Sequence, residues 1–215
     1  MGLASPTLTL FEDRLAPGAV LGPAAAAGHR VIYVAEGAAT VDGAAAAEDE
    51  ARYGAADASI AAGRSGAVLW RWQVADGDVP AGAGSTGKLA VALAPHGIGR
   101  GRWLLRCDSV WFPPGGCAYL HTHRGPGIRC LRTGSIRIDT AGTSTRYRPG
   151  EAWFEPGPEP VFAQGNAEHE TRFIRVMVLP PALAGQPSIT YVRSEDRDRP
   201  KSQRYRGYCD IPVDL

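Results

Sequence analysis

Short strand-like runs of hydrophobic residues, some of them alternating with polar residues, occur throughout this sequence, and glycine or proline separates nearly every pair of them. In the second half they cover residues 103–107, 109–112, 128–131, 135–139 and 143–147, and the longest covers 172–179. Alternation with a period of two is typical of half-buried strands. Strands this short and this often interrupted are typical of a small antiparallel barrel or jelly roll, so the pattern predicts an all-β fold.

The two halves of the sequence repeat the same landmarks. Pro17 aligns with Pro114, and Gly37 aligns with Gly134 at the same offset. A duplication explains one constant offset most economically. The predicted organisation is an N-terminal half over residues 1–74, a glycine-rich linker over 75–88, a C-terminal barrel over 89–184 and a C-terminal arm over 185–215. The mixed charges of the arm favour a solvated segment that packs on its own barrel or on a partner subunit.

Composition narrows the class of function. The 215 residues are 44 % hydrophobic and 21 % charged, with a formal net charge of +1. This balance is ordinary for a globular protein and gives no field that would attract nucleic acid or a membrane surface. No apolar run is long enough for a membrane span and no signal peptide is evident, so we expect a cytoplasmic protein with a small-molecule partner. The four cysteines lack metal or redox spacing and are interpreted as reduced packing thiols.

The clearest chemical signal is a pair of histidines, His121 and His123, in a segment bounded by glycines and prolines. On a strand, residues two apart share a face, so the two imidazoles would form a ready metal chelate. Tyr119 has the same parity and is predicted to point into the same cavity. The alternative is a pair of polar residues that line a pocket without metal.

The segment resembles the first signature motif of the cupin superfamily. Gly116, His121, His123 and Gly134 match its opening glycine, its His-x-His pair and its closing glycine. Residues Gly150 and Pro156 resemble the opening of the second cupin motif. The resemblance implies two tandem cupin (jelly-roll) barrels in one chain, with the site in the second. It also implies that the protein forms a homodimer.

Two metal ligands of the family pattern are missing. Gly127 stands where the first motif places its glutamate, and no histidine follows Pro156 within a few residues. Glu159 stands about where that histidine should be and is predicted to be the third metal ligand, with Glu155 as the alternate carboxylate. In the first half the two histidine positions correspond to Ala24 and Ala26, so that half is predicted to bind no metal.

Two histidines and a carboxylate are the ligand set of non-haem iron oxygenases, and such sites also take manganese, nickel or zinc. The leading hypothesis is therefore a metal-dependent enzyme, most simply a dioxygenase, acting on a small carboxylated molecule. Arg129 on the following strand would orient the substrate anion if it faces inward; an outward arginine is equally compatible with the sequence. A non-catalytic small-molecule-binding or regulatory cupin that has lost full metal coordination remains the alternative.

Overall fold

The structure is a computed structural model that describes residues 5–22 and 28–215. It confirms the all-β prediction and divides into two compact units, one of residues 1–102 with 213–215 and one of residues 103–212. No helix in the described ranges is long and apolar enough to cross a membrane. The predicted counterparts of the histidines, Ala24 and Ala26, fall in the gap at 23–27 and lie outside the described residues.

The first unit forms a seven-stranded sheet with the order β4-β3-β6-β1-β7, in which β2 lies beside β6 and β5 beside β3. Its strands are β1 (Pro6–Leu15), β2 (Val20–Leu21), β3 (Gly28–Val41), β4 (Ala44–Ala47), β5 (Ala51–Ala55), β6 (Ile60–Asp76) and β7 (Ser85–Ala92). Its core packs side chains of β3 and β6, among them Ile32, Ile60 and Leu69, which are 0 % exposed.

The second unit contains two five-stranded sheets, with the orders β13-β10-β15-β8-β17 and β12-β11-β14-β9-β16. Its strands are β8 (Arg102–Phe112), β9 (Cys117–His123), β10 (Gly127–Thr133), β11 (Ile136–Thr140), β12 (Thr143–Tyr147), β13 (Ala152–Glu155), β14 (Val161–Gly165), β15 (Thr171–Leu179), β16 (Ile189–Tyr191) and β17 (Arg204–Asp214). A short helix, α1 (Glu195–Asp198), precedes β17. Aromatic and aliphatic side chains of both sheets form the core, including Phe112, Trp153 and Phe173.

Equivalent strand pairs recur in the two units with equivalent registers. Tyr33 of β3 faces Ala51 of β5, and Cys130 of β10 faces Ala152 of β13. Tyr33 and Cys130 are counterparts under the offset that relates Pro17 to Pro114. Strands β3 and β6 are long, and their pairing passes through register shifts. In the second unit, each of the two corresponding stretches is divided between two strands.

The predicted linker over residues 75–88 is too long. Strand β6 continues to Asp76, and Ser85 already pairs with Asp13 as part of β7. Glycines obscure the alternation of β7 in the sequence, but an edge strand beside β1 tolerates them. The predicted arm is likewise more regular than expected, because Ile189–Tyr191 pairs with β9 and β17 adds to the sheet beside β8.

A candidate ligand-binding site in the second unit

His121 and His123 lie on the inner face of β9, where they are 4 % and 5 % exposed. Their Nε2 atoms are 3.2 Å apart. The Nδ1 atom of His121 lies 2.7 Å from the carbonyl oxygen of Tyr119, which fixes Nδ1 as the protonated nitrogen of that ring. Its Nε2 therefore carries a lone pair directed at His123.

Tyr119 does not share the face of the histidines, so the prediction that it points into the same cavity is wrong. His121 pairs with Val161 of β14 but Ala118 pairs with Ala163, so three steps along β9 correspond to two along β14. Such a bulge reverses the alternation of side chains. The Tyr119 ring instead lies under Arg199, with the guanidinium carbon 5.3 Å from the ring centroid.

The carboxylate beside the histidines is Glu155, the alternate candidate, and not Glu159. Glu155 is 7 % exposed, and its Oε2 lies 3.3 Å from the Nε2 of His123. Its Oε1 accepts a hydrogen bond of 2.8 Å from the indole of Trp153. Glu159 is exposed and lines a shallow surface pocket with Arg137. Strand β13 ends at Glu155, and the proline-containing segment that follows carries Glu159 out of the barrel.

Arg129 faces inward but is already paired. Its side chain is 1 % exposed, and its Nη2 lies 2.7 Å from Oε2 of Glu155, an ion pair in which neither atom makes a hydrogen bond of normal geometry within the described residues. Its Nη1 donates to the carbonyl oxygen of Gly127 at 2.6 Å. Directly opposite on β15 is Arg175, which forms a two-pronged ion pair with Asp108. Each buried guanidinium thus has its own carboxylate, as burial of like charges on facing strands requires.

The environment keeps the histidines neutral and Glu155 ionised. Burial lowers the pKa of His121, and it lowers the pKa of His123 to about 3 against the opposing effect of Glu155. Burial alone would raise the pKa of Glu155, but the Arg129 guanidinium and His123 outweigh it, and the pKa lies well below its usual range. Burial lowers the pKa of Arg129 to about 10, which still leaves it charged at neutral pH.

The metal that the resemblance implies does not fit these residues. In the described ranges no three His, Cys, Asp or Glu side chains form a group suited to hold a metal ion. Arg129 already occupies the oxygen of Glu155 that faces the histidines. The buried Nδ1 of His123 has no hydrogen-bond partner among the described residues, whereas a metal-binding histidine almost always donates this N–H. A proton on Nε2 of His123 can be donated to the bare Nε2 of His121 or to Oε2 of Glu155, so His123 already has partners on this side without a metal.

The interior beside this cluster is nearly filled. The cavity bounded by His121, His123, Arg129 and Glu155 has a volume of about 20 Å³. That is enough for one water molecule and too small for an organic substrate.

A much larger cavity adjoins it, with a volume of about 600 Å³. Because three tyrosines lie in its wall, we call it the tyrosine groove; it is lined by Arg106, Cys107, Asp108, Arg175, residues 185–189, Tyr191, Lys201, Gln203, Tyr205 and residues 207–210. The two cavities share Arg175, Ile189 and Tyr205 as lining residues. All of the lining residues belong to the second unit.

The charged groups of the groove are matched within the protein. Arg106 forms two hydrogen bonds of 3.0 Å with Asp210, and Arg175 is paired with Asp108. The ammonium of Lys201 donates to three backbone carbonyls of the segment that contains α1. The groove therefore offers no free charge of either sign from these groups.

Two other groups in the groove carry no charge. Gln203 is 7 % exposed, and its buried Oε1 has no hydrogen-bond partner in the described part of the chain, while its Nε2 donates to Tyr191. Tyr205 is 50 % exposed, one of the large hydrophobic side chains open to solvent. The sequence analysis missed this site because it interpreted residues 185–215 as a charged arm; the recurring tyrosines at 191, 205 and 208 were the available signal.

The sequence matches no family model and no curated protein. Its fold is similar to several solved structures. A variant of oxalate decarboxylase from Bacillus subtilis has a TM-score of 0.57 at 13 % identity, over 86 % of this chain and 74 % of that one. Salicylate 1,2-dioxygenase from Pseudoaminobacter salicylatoxidans has a TM-score of 0.55 at 13 % identity, over 80 % and 69 %.

A cupin 2 barrel protein from Leptotrichia buccalis has a TM-score of 0.50 at 15 % identity, over 83 % of this chain and 86 % of that one. The chain therefore has a cupin-type fold with degenerate metal motifs. At these identities the similarity concerns the fold alone, and function has to be argued from the site.

Proposed function

We propose that the second unit is a small-molecule-binding cupin domain, without resident metal, whose ligand occupies the tyrosine groove. The observation that carries this proposal is a volume of about 600 Å³ lined by three tyrosines, against about 20 Å³ inside the barrel; the surface pocket at Glu159 is as large but has no aromatic lining residue. Volumes of 300–1,000 Å³ are typical of ligand pockets.

The lining indicates the chemistry of the ligand. Tyr205 and Tyr191 supply aromatic side chains, and the amide of Gln203 in the same wall has a buried carbonyl oxygen without a partner, which a shift of this side chain would turn toward an N–H or O–H donor. Because the cations of the groove are already paired, an uncharged aromatic or amphipathic molecule with one N–H or O–H group fits better than a carboxylate. Arg129 is committed to Glu155, so it does not support the carboxylated substrate that the sequence predicts.

Binding of Nile red, an uncharged aromatic dye whose emission rises in apolar surroundings, tests this proposal. We expect saturable binding to the wild-type protein and at least about fivefold weaker binding to Tyr205→Ala, since one aromatic contact contributes about 1 kcal/mol. Val192→Ala is the matched control, because Val192 is also an exposed apolar side chain of this unit but does not line the groove. Equal binding to all three proteins, or none to the wild type, would contradict the proposal.

A metal-dependent dioxygenase is the second candidate function. Two observations favour it: the 3.2 Å separation of the histidine Nε2 atoms and the Nδ1 hydrogen bond that leaves Nε2 of His121 bare. The ion pair between Arg129 and Glu155 opposes it. A stoichiometric metal in protein purified without chelator would favour this candidate over the first.

The predicted homodimer stays a prediction and can be measured by light scattering after size-exclusion chromatography. Absence of nucleic-acid and membrane partners also stays a prediction.

A further inference from the structure

We propose that the Arg129 guanidinium is the resident cation of this barrel, in the place a divalent metal would take, and that an uncharged side chain there opens a metal site formed by His121, His123 and Glu155. This inference concerns the barrel interior and does not rest on ligand binding in the tyrosine groove.

Glu155 supplies the carboxylate that the first motif lacks. Glu155 of β13 lies directly opposite Gly127 of β10, the position at which the first motif lacks its glutamate. Facing residues on antiparallel strands project from the same side of the sheet. The carboxylate that is absent from β10 is therefore supplied from β13.

The donor atoms of His121, His123 and Glu155 lie close together. The Nε2 atoms of His121 and His123 are 3.2 Å apart, and Oε2 of Glu155 is 3.3 Å from Nε2 of His123. Ligands that lie about 2.0–2.2 Å from one ion are about 2.8–3.6 Å from each other at angles between octahedral and tetrahedral. These two separations are those of ligands around one ion, although in the described residues the three side chains do not form a metal-holding group as they stand.

Arg129 and a metal ion would compete for Glu155. Nη2 of Arg129 lies 2.7 Å from Oε2 of Glu155, and Arg129 is 1 % exposed. A metal bound to that oxygen would lie within about 5 Å of the guanidinium, where repulsion in a weakly polarisable interior is strong. Arg175, opposite Arg129 on β15, adds a second positive charge, which Asp108 balances. One carboxylate therefore holds either Arg129 or a metal.

Cobalt titration tests the exchange directly, because Co²⁺ bound to histidine and carboxylate has a visible absorption spectrum and needs no enzymatic activity as a readout. The variants are Arg129→Met, which keeps much of the volume without charge, and Arg129→Lys, which keeps the charge. We expect Arg129→Met to bind one Co²⁺ per chain at least about 100-fold more tightly than wild type, as removal of a like charge in contact predicts. Arg129→Lys should bind as weakly as wild type.

Two further variants identify the metal ligands and provide a second test if Arg129→Met does not fold. Adding His121→Ala and His123→Ala to Arg129→Met should abolish the cobalt spectrum. Arg129→Gln, which can still hydrogen-bond to Glu155, should gain cobalt binding if Arg129→Met fails to fold by circular dichroism. Tight cobalt binding by the wild type, or a folded uncharged variant that gains none, would overturn the proposal. Neither result would affect Nile red binding in the groove.

Discussion

Glu155 faces Gly127 across the β10–β13 pair, and that register brings a carboxylate to the histidines from a strand on which the motif does not place one. Replacing Gly127 by any residue with a side chain should destabilise the fold. A Cβ atom there would lie 2.5 Å from the carbonyl oxygen of Val176 and 2.7 Å from Cγ of Met177. The closeness of β15 thus excludes a side chain at 127.

The substitution Gly127→Ala should therefore lower the free energy of unfolding by about 1–3 kcal/mol, the usual cost of overpacking. Urea denaturation measures it. Gly207→Ala is the control, because no atom lies within 4 Å of a Cβ built at Gly207, and its change should stay within about 0.5 kcal/mol. Equal effects of the two substitutions would contradict this expectation and would show that β15 can move away to make room for a Cβ atom at position 127.

The buried ion pair predicts strong coupling between Arg129 and Glu155. Arg129→Met should destabilise the protein by about 3–5 kcal/mol, because it leaves the Glu155 carboxylate buried without its partner. The double variant Arg129→Met/Glu155→Leu should recover most of that loss, since it removes both charges. A double-mutant cycle in urea measures the coupling; additive effects of the two substitutions would contradict a direct ion pair.

Stability should fall as the pH is lowered, in two stages. The folded-state pKa values of His121 and His123 lie below the unfolded value, that of His123 at about 3, so the unfolded chain binds more protons below about pH 6.5. Each histidine then removes up to about 1.4 kcal/mol per pH unit, until the pH reaches its own folded-state pKa. The lowered pKa of Glu155 adds a further loss as the pH falls below about 4.5, because its ionised form stabilises the folded state.

Urea denaturation at several pH values checks this, with His121→Asn/His123→Asn as the comparison. The double variant should lose most of the slope between about pH 6 and pH 5. An unchanged slope would mean that other groups cause the dependence.

Cys107 should be chemically inert in the folded protein. It is 0 % exposed, and burial, with the neighbouring Cys209 thiol, raises its pKa well above the usual value. Since the thiolate is the reactive form, iodoacetamide should leave Cys107 unmodified in native protein and modify it after denaturation. Peptide mass spectrometry distinguishes it from Cys209, which is partly exposed. Labelling of native Cys107 at the rate of a free thiol would contradict the packing seen here.

Alternation and a constant offset were enough to predict the all-β fold and its two units, because a side-chain period of two follows from strand geometry. The partners of the histidines were harder to predict. Tyr119 was misplaced because a bulge between Ala118 and His121 leaves no mark in the sequence. Glu159 was ranked above Glu155 because the sequence does not show that β13 ends at Glu155.

The tyrosine groove could not be predicted, because it depends on long-range pairing. Residues 189–191 pair with β9, and Arg106 binds Asp210 from β17. Neither contact follows from local pattern, and the charges of the tail indicated solvation. Because Arg106 and Asp210 form an ion pair, both charges tolerate partial burial.

Metal content distinguishes a metal-free ligand-binding barrel from a metal-dependent dioxygenase. Protein purified without chelator should be analysed by metal mass spectrometry beside the His121→Ala/His123→Ala variant. We expect that neither protein carries stoichiometric iron, manganese, nickel or zinc, because Arg129 already balances the charge of Glu155. Near-stoichiometric metal in the wild type that disappears in the variant would contradict this expectation and support the dioxygenase.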